Sequence, residues 1–378
     1  MSRLRSLQTL IASIALLLIV ALVGTGASIS TQQDFITTLV SATIVYGLYI
    51  FVGTSGVISF GHISFAAIGA FSAGVMTIPT QEKGFVLHGL WSFIAQHSIS
   101  NNVSLLLAAG LGMIIALIVG FPLMRLSGIA AGIGTFAVLE ITNNVLNQWT
   151  KIGPGPTTLS LVPVSTGIWQ ALAAAVFAAV VAFIYQSSRR GRLLRAARED
   201  PAAAQAIGVN VFGERLIAFG LSGAIAGLGG AMLVHQLGAI TTDQVFLELT
   251  FLTLAMLVIG GSASLWGATV GAVVVSLLSS FLSTAENSVH VLFFKLTLPN
   301  GASDLILGIL MAAMLLFRPQ GLTGGREFSL GFVGRIRARS SAGGSSPGGS
   351  EAGSSGAGPE ADPSAGPSTS QIHDLEPR

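Results

Sequence analysis

The 378-residue chain has no cysteine, which excludes a disulfide frame, a cysteine-ligated zinc site and a thiol nucleophile. Charge is nearly as scarce. Asp, Glu, Lys and Arg make up 9% of the residues against 51% hydrophobic ones, and the mean hydropathy is +0.76. A soluble domain carries about 25% charged residues, so a soluble multidomain enzyme is excluded. The six histidines, at 62, 88, 97, 235, 290 and 373, never pair at metal-ligand spacing with an acid between them. No serine stands in a nucleophile elbow with suitable partners. The only lysines, Lys83, Lys151 and Lys295, follow Glu82, Thr150 and Phe294. A phosphate-cradling loop needs Gly-Lys followed by Ser or Thr, so the chain cannot hydrolyse ATP by that route. No catalytic, metal or nucleic-acid site is expected.

What the chain does have is long apolar runs separated by short polar breaks. A hydrocarbon core about 30 Å thick needs roughly 20 apolar residues per helix. Ten runs meet or approach this, near 8–27, 33–53, 57–79, 103–126, 128–147, 168–186, 216–238, 246–260, 264–285 and 302–318. The expected fold is all-α: a polytopic transmembrane bundle of about ten spans. The first run follows Arg3 and Arg5 like a signal peptide, but its length and the closely following spans make it a retained helix. Inner loops carry the excess of Lys and Arg. With the N-terminus inside, 15 of the 18 basic residues lie on the inner side, leaving Lys83, Lys151 and Lys295 outside. This predicts N-in, C-in topology, with residues 1–322 as the membrane domain. Residues 323–378 are then a Ser/Gly/Pro-rich inner tail, too poor in bulky apolar side chains to order itself.

The longest inner loop, 187–215, contains RRGRLLRAAREDPAAAQAIGVN, with five arginines between Arg189 and Arg198. As charges, these read as anchors beside anionic lipid. Asp200-Pro201 reads as a helix start and Gly208 as its stop. The short helix between them is made of small residues and has little large apolar side chain of its own to pack. It is either a plain loop helix or a docking element for a cytoplasmic partner.

Here the chain resembles a family. The loop is similar to the coupling loop of ABC-transporter permeases, Glu-Ala-Ala-x-x-x-Gly, with Ala203, Ala204 and Gly208 matching and Ala202 in place of the Glu. The wider stretch GRLLRAAREDPAAAQAIGVNV resembles the branched-chain amino acid permeases of the LivH/LivM type. Three further stretches resemble the same family in order: GVISFGHISFAAIGAF (56–71), MLVIGGSASLWGATVGA (256–272) and LFRPQGL (316–322). There are departures: Leu252 stands where the family often has an acid, with Glu248 a turn earlier, and Ala268 replaces a Pro. The resemblance implies the permease subunit of an importer in a bacterial inner membrane, paired with a second homologous permease. It also implies two cytoplasmic ATPases that bind the ATP and Mg, and an extracytoplasmic binding protein docked on the outer loops 80–102 and 148–167. Arg195, Arg198, Glu199, Asp200, Ala203, Ala204 and Gly208 would couple to the ATPases. Neutral amino acids would be the cargo, with urea or amides and sugars or nucleosides as alternatives.

Several residues admit two readings. Gly61, His62 and Phe65 belong either to a gate or to interhelical packing. Glu140 and Asn143, in the polar patch EITNNVLNQ, either line the path or bond neighbouring helices. Gly260 and Gly261, with Gly267 and Gly271, give either close packing or a broken helix on the path. An ion-coupled transporter is the rival class. However, Asp34, Glu140, Glu248 and Asp304 are scattered and lack a mid-membrane basic partner, which makes a poor proton relay.

Overall fold

The computed structural model describes residues 2–327, apart from 88, 127, 287–288, 292–293, 297–300, 319 and 326. In lipid, backbone polar groups must find partners within the protein, and helices meet that demand locally. The helices are α1 (Ser2–Thr25), α2 (Ile29–Ser55), α3 (His62–Thr77), α4 (Thr80–Val86), α5 (Ser92–Gln96), α6 (Asn101–Leu123) and α7 (Gly128–Gln148). They continue with α8 (Ile168–Ser187), α9 (Arg189–Glu199), α10 (Pro201–Ala206), α11 (Val211–Leu237), α12 (Leu247–Gly260), α13 (Leu265–Glu286) and α14 (Ala302–Phe317). A short antiparallel hairpin, β1 (Val289–Val291) with β2 (Phe294–Leu296), lies between α13 and α14. Among the described residues, eight helices are long and apolar enough to cross a membrane, and two shorter ones, within α3 and α14, are also apolar. In order, the ten fall on the ten apolar runs.

The third run departs from expectation. Residues 57–61 are not helical, and α3 begins only at His62. Gly56 ends α2 in the left-handed region, at φ 71°, and donates its N–H to the Val52 carbonyl. The backbone beyond it bonds outside its own helix: Phe60 N donates to Thr135 Oγ1 of α7 at 3.2 Å. Hydropathy cannot register such a break, because the residues across it remain apolar.

Two helices form the centre. Every residue of α2 from Thr38 to Ser55 is buried, and α11 packs between α2, α3 and α6. Glycines set the α11 seams. A Cβ on Gly230 would overlap the Ala66 carbonyl oxygen, and one on Gly69 would overlap that of Gly227. One on Gly227 would stand 2.5 Å from the Ala108 carbonyl oxygen. Without a hydrophobic force between helices in lipid, such close backbone approach supplies the dispersion contact that holds them. By contrast, α7 lies at the edge, packing mainly on α3 and exposing Ile129, Ile133, Phe136 and Ile141.

The bundle has two distinct ends. At one, the loops 80–102 and 148–167 meet. Trp91 N donates to the Lys151 carbonyl, Trp91 stacks edge-on against Trp149 at 6.1 Å, and Leu159 pairs with Ile240 beyond α11. Lys83 is fully buried there, donating to the Ile94 and His97 carbonyls, and burial holds its ammonium below the usual lysine value. The other end carries α9 and α10.

Candidate functional site

The arginines of α9 do more than set charge. Ser188 caps the helix, its Oγ accepting from Gly191 N at 3.1 Å, and directs α9 back across the ends of two membrane helices. A helix ends with carbonyls that have no intrahelical partner, at the negative pole of its dipole. Arg192 donates to the Ser187 carbonyl at 2.9 Å and Arg195 to the Gln186 carbonyl at 2.6 Å, both at the end of α8. Arg198 donates to the Gly53 carbonyl in the last turn of α2 at 3.1 Å. A row spaced by three residues thus caps α8 and α2 together. Each such cation at a helix C-terminus is worth about 0.3–1 kcal/mol. Arg198 also lays its stem over Gly56, where a Cβ would lie 2.7 Å from the arginine Cγ. Arg189, Arg190 and Glu199 remain exposed.

α10 follows at once. The Asp200 carboxylate accepts from Ala202 N at 2.9 Å and Ala203 N at 3.0 Å, with Pro201 in the first turn. Gly208 ends the segment at φ 84°. Ala203 is exposed and Ile207 is 79% exposed. Ala204 instead turns inward onto Ala197 and Val211. The helix therefore has a small apolar footing of its own, which the expectation of a helix with little to pack against does not include.

The four quoted motifs converge at this end. Arg198 joins the arginine loop to the Gly56 stretch. Leu322 and Thr323 close over the end of α12: Leu322 N donates to the Ile259 carbonyl at 2.7 Å, and Thr323 Oγ1 to that of Gly260 at 2.9 Å. The Glu327 carboxylate accepts from Leu265 N at 3.2 Å, bonds the Thr9 side chain and lies within electrostatic reach of Arg195. The end of α2 that Arg198 caps meets the 256–272 stretch, where a Cβ on Gly53 would stand 2.8 Å from the Ser262 carbonyl oxygen. Thr323 and Glu327, assigned from sequence to the tail, are thus bonded to the α12–α13 turn. The remainder of the tail, 328–378, lies outside the described residues.

Gly260 and Gly261 sit in a tight seam. A Cβ on Gly260 would overlap the Gly267 carbonyl oxygen, and Gly261 takes φ 119°. His62 is buried in an aromatic box of Phe51, Phe65 and Phe219, at ring distances of 5.5, 6.0 and 5.2 Å, with Nδ1 2.7 Å from Ser59 Oγ. Gly61 abuts α7, its would-be Cβ 2.6 Å from the Thr135 carbonyl oxygen. Glu140 is exposed and accepts from Asn144 at 2.9 Å, and Asn147 donates to Asn143 at 3.2 Å. These pairs make a polar ladder along α7. It leads to an open recess of about 350 Å³ lined by Asn144, Val145, Gln148 and Trp149. Thr135, Arg192, Gly53, Thr323 and Glu327 join the candidate set. Only Arg192 had a sequence signal, its spacing to Arg195 and Arg198. The others act through contacts distant in sequence.

Among the described residues, no group of three His, Asp or Glu side chains could hold a metal ion. The architecture is that of a multi-pass, all-α membrane protein with its sequence motifs gathered at one end of the bundle. Residues 31–315 match the family model described as branched-chain amino acid transport system / permease component, and the chain belongs to that family. The high-affinity branched-chain amino acid transport system permease protein LivM of Escherichia coli K12 is 25% identical over 319 residues, covering 75% of this chain and 68% of its own. The autoinducer 2 import system permease protein LsrC of Shigella flexneri is 27% identical over 241 residues, covering 61% and 68%. The "probable branched-chain amino acid transport permease protein LivH" of Methanocaldococcus jannaschii is 31% identical over 140 residues, covering 35% and 40%. No solved structure matches. The chain is a transport permease subunit.

Proposed function

We propose that the chain is the permease of an ATP-driven ABC importer for branched-chain or other neutral amino acids in a bacterial inner membrane. It would pair with a second homologous permease and with two ATPases that bind the ATP and Mg, while an extracytoplasmic binding protein delivers the cargo. The observation that carries this reading is the convergence of all four motifs at one end of the bundle, with Ala203 and Ile207 projecting from α10. In this reading the arginine end is cytoplasmic, as the excess of basic residues there favours. The segment from Asp200 to Gly208, which contains α10, is the docking element. The opposite end, where 80–102 and 148–167 meet, receives the binding protein.

The path runs along α7, past Gly61 and the Glu140–Asn144 and Asn143–Asn147 pairs. Polar groups left facing hydrocarbon are costly, so this face belongs against a second permease or a water-filled path. His62 and Phe65, boxed behind it, and Gly260 and Gly261, in the α12–α13 seam, support the path rather than line it. Replacing exposed Ala203 with Trp tests docking: it should abolish co-purification of the ATPase and leave membrane insertion intact, and undiminished co-purification would overturn the docking assignment. The similarity to the autoinducer 2 import system permease LsrC supports a second cargo, autoinducer 2. Uptake of labelled leucine against labelled autoinducer 2 into cells expressing the full transporter decides between them.

A further inference from the structure

We propose that the arginine row of α9 and the Gly56–Gly61 stretch form a rigid joint carrying the displacement of α10 to α7. This rests on the docking assignment above. It adds residues that move the path without touching either partner or cargo. The contacts run without a gap. α10 is fixed to α9 through Ala204 on Ala197 and Val211, and through Asp200 N donating to the Ala196 carbonyl. α9 is bolted to the ends of α8 and α2 by Arg192, Arg195 and Arg198.

The bolts are short and converge. Tyr49 of α2 donates to Gln186 Oε1 of α8 at 2.5 Å, so the two capped helices are also tied to each other. Arg198 covers Gly56, where α2 ends, and the chain then runs without helix to Gly61. That stretch grips α7 through Phe60 N on Thr135 Oγ1, Gly61 against the Thr135 carbonyl and Phe60 edge-on to Phe136 at 6.4 Å. One turn further along α7 from Phe136 stands Glu140, the start of the polar ladder.

The physical asymmetry gives the device its direction. α2 is buried on all sides from Thr38 to Ser55, whereas α7 is the loosely packed element in contact with the joint. A push on α10 is therefore relieved by moving α7 rather than by deforming the core, because packed interiors resist gradual distortion. Arg198 is a positioning residue in this scheme, and so is Thr135.

The natural absence of cysteine allows clean labelling. Nitroxides on Ala203→Cys and Ile58→Cys report the α10-to-joint distance, both positions being exposed. In the chain reconstituted alone in liposomes, the distance distribution should be narrow and should broaden in Arg198→Ala. Equal widths would overturn the joint. Arg198→Ala and the near-isosteric Thr135→Val should each retain ATPase assembly while reducing transport at least tenfold. Arg198→Lys should restore part of it. Undiminished transport in both variants would overturn the joint. A wild-type chain that recruits no ATPase refutes the docking assignment instead, and the liposome measurement then decides the joint by itself.

Discussion

α11 and α7 are both rich in glycine, and the two helices use it in opposite ways. In α11, Gly220, Gly223, Gly227 and Gly230 face neighbouring elements so closely that a Cβ on any of them would meet another atom within 2.7 Å. In α7, a Cβ on Gly128 or Gly132 would meet nothing within 4 Å. The first helix is locked into three neighbours and the second is held at its edge. Glycine by itself says only that close approach is permitted. Whether it happens depends on what the rest of the chain brings alongside. The same contrast separates their polar groups: Ser222 of α11 bonds inward to the Gly47 carbonyl, whereas Glu140 and Asn144 of α7 bond each other on an exposed face.

The comparison can be broken at its strong end first. Gly230→Val puts branched carbons into the Ala66 carbonyl and should destabilise the purified protein by about 3 kcal/mol or more in detergent unfolding. An unchanged unfolding midpoint would remove the distinction between the two helices. Ala204→Leu, overfilling the small cluster on Ala197 and Val211, should cost about 2 kcal/mol and loosen α10. Proteolysis of the 200–208 segment reads that loosening. Asp200→Ala removes the acceptor of two backbone donors, a loss of about 1 kcal/mol confined to α10, read as faster hydrogen exchange at the Ala202 and Ala203 amides. Gly132→Ala, in open space, should change stability by less than about 1 kcal/mol and toward greater stability, since alanine is the better helix former. A large loss there would mean that α7 is packed after all.

Much of this was legible beforehand, for reasons particular to each feature. The Asp200-Pro201 cap and the Gly208 stop are local chemistry, and the structure has both at those residues. The ten apolar runs were legible because lipid solvation imposes a length and a composition on every segment. The Gly56–Gly61 break was not, since its residues are as apolar as a helix would need and its Phe60 N–H is satisfied by Thr135 of α7. The role of the arginines was half legible. Their charge marked one end of the bundle, but that Arg192, Arg195 and Arg198 cap two separate helices depends on where α9 folds back. Thr135, Thr323 and Glu327 had no local pattern, because each works through one long-range partner.

Taken alone, the residues determine that this is an all-α membrane protein, which segments are apolar enough to span, where the basic charge gathers and how α10 begins and ends. These follow from transfer free energies and from bonds within a few residues. Only the tertiary structure decided which glycines are seams and which stand open, that α2 is the buried axis and α7 the loose edge, and that four separated motifs share one end. Those facts rest on close approach between segments far apart in the chain. Such approach is set by the mutual fit of whole helices rather than by the preferences of any one of them.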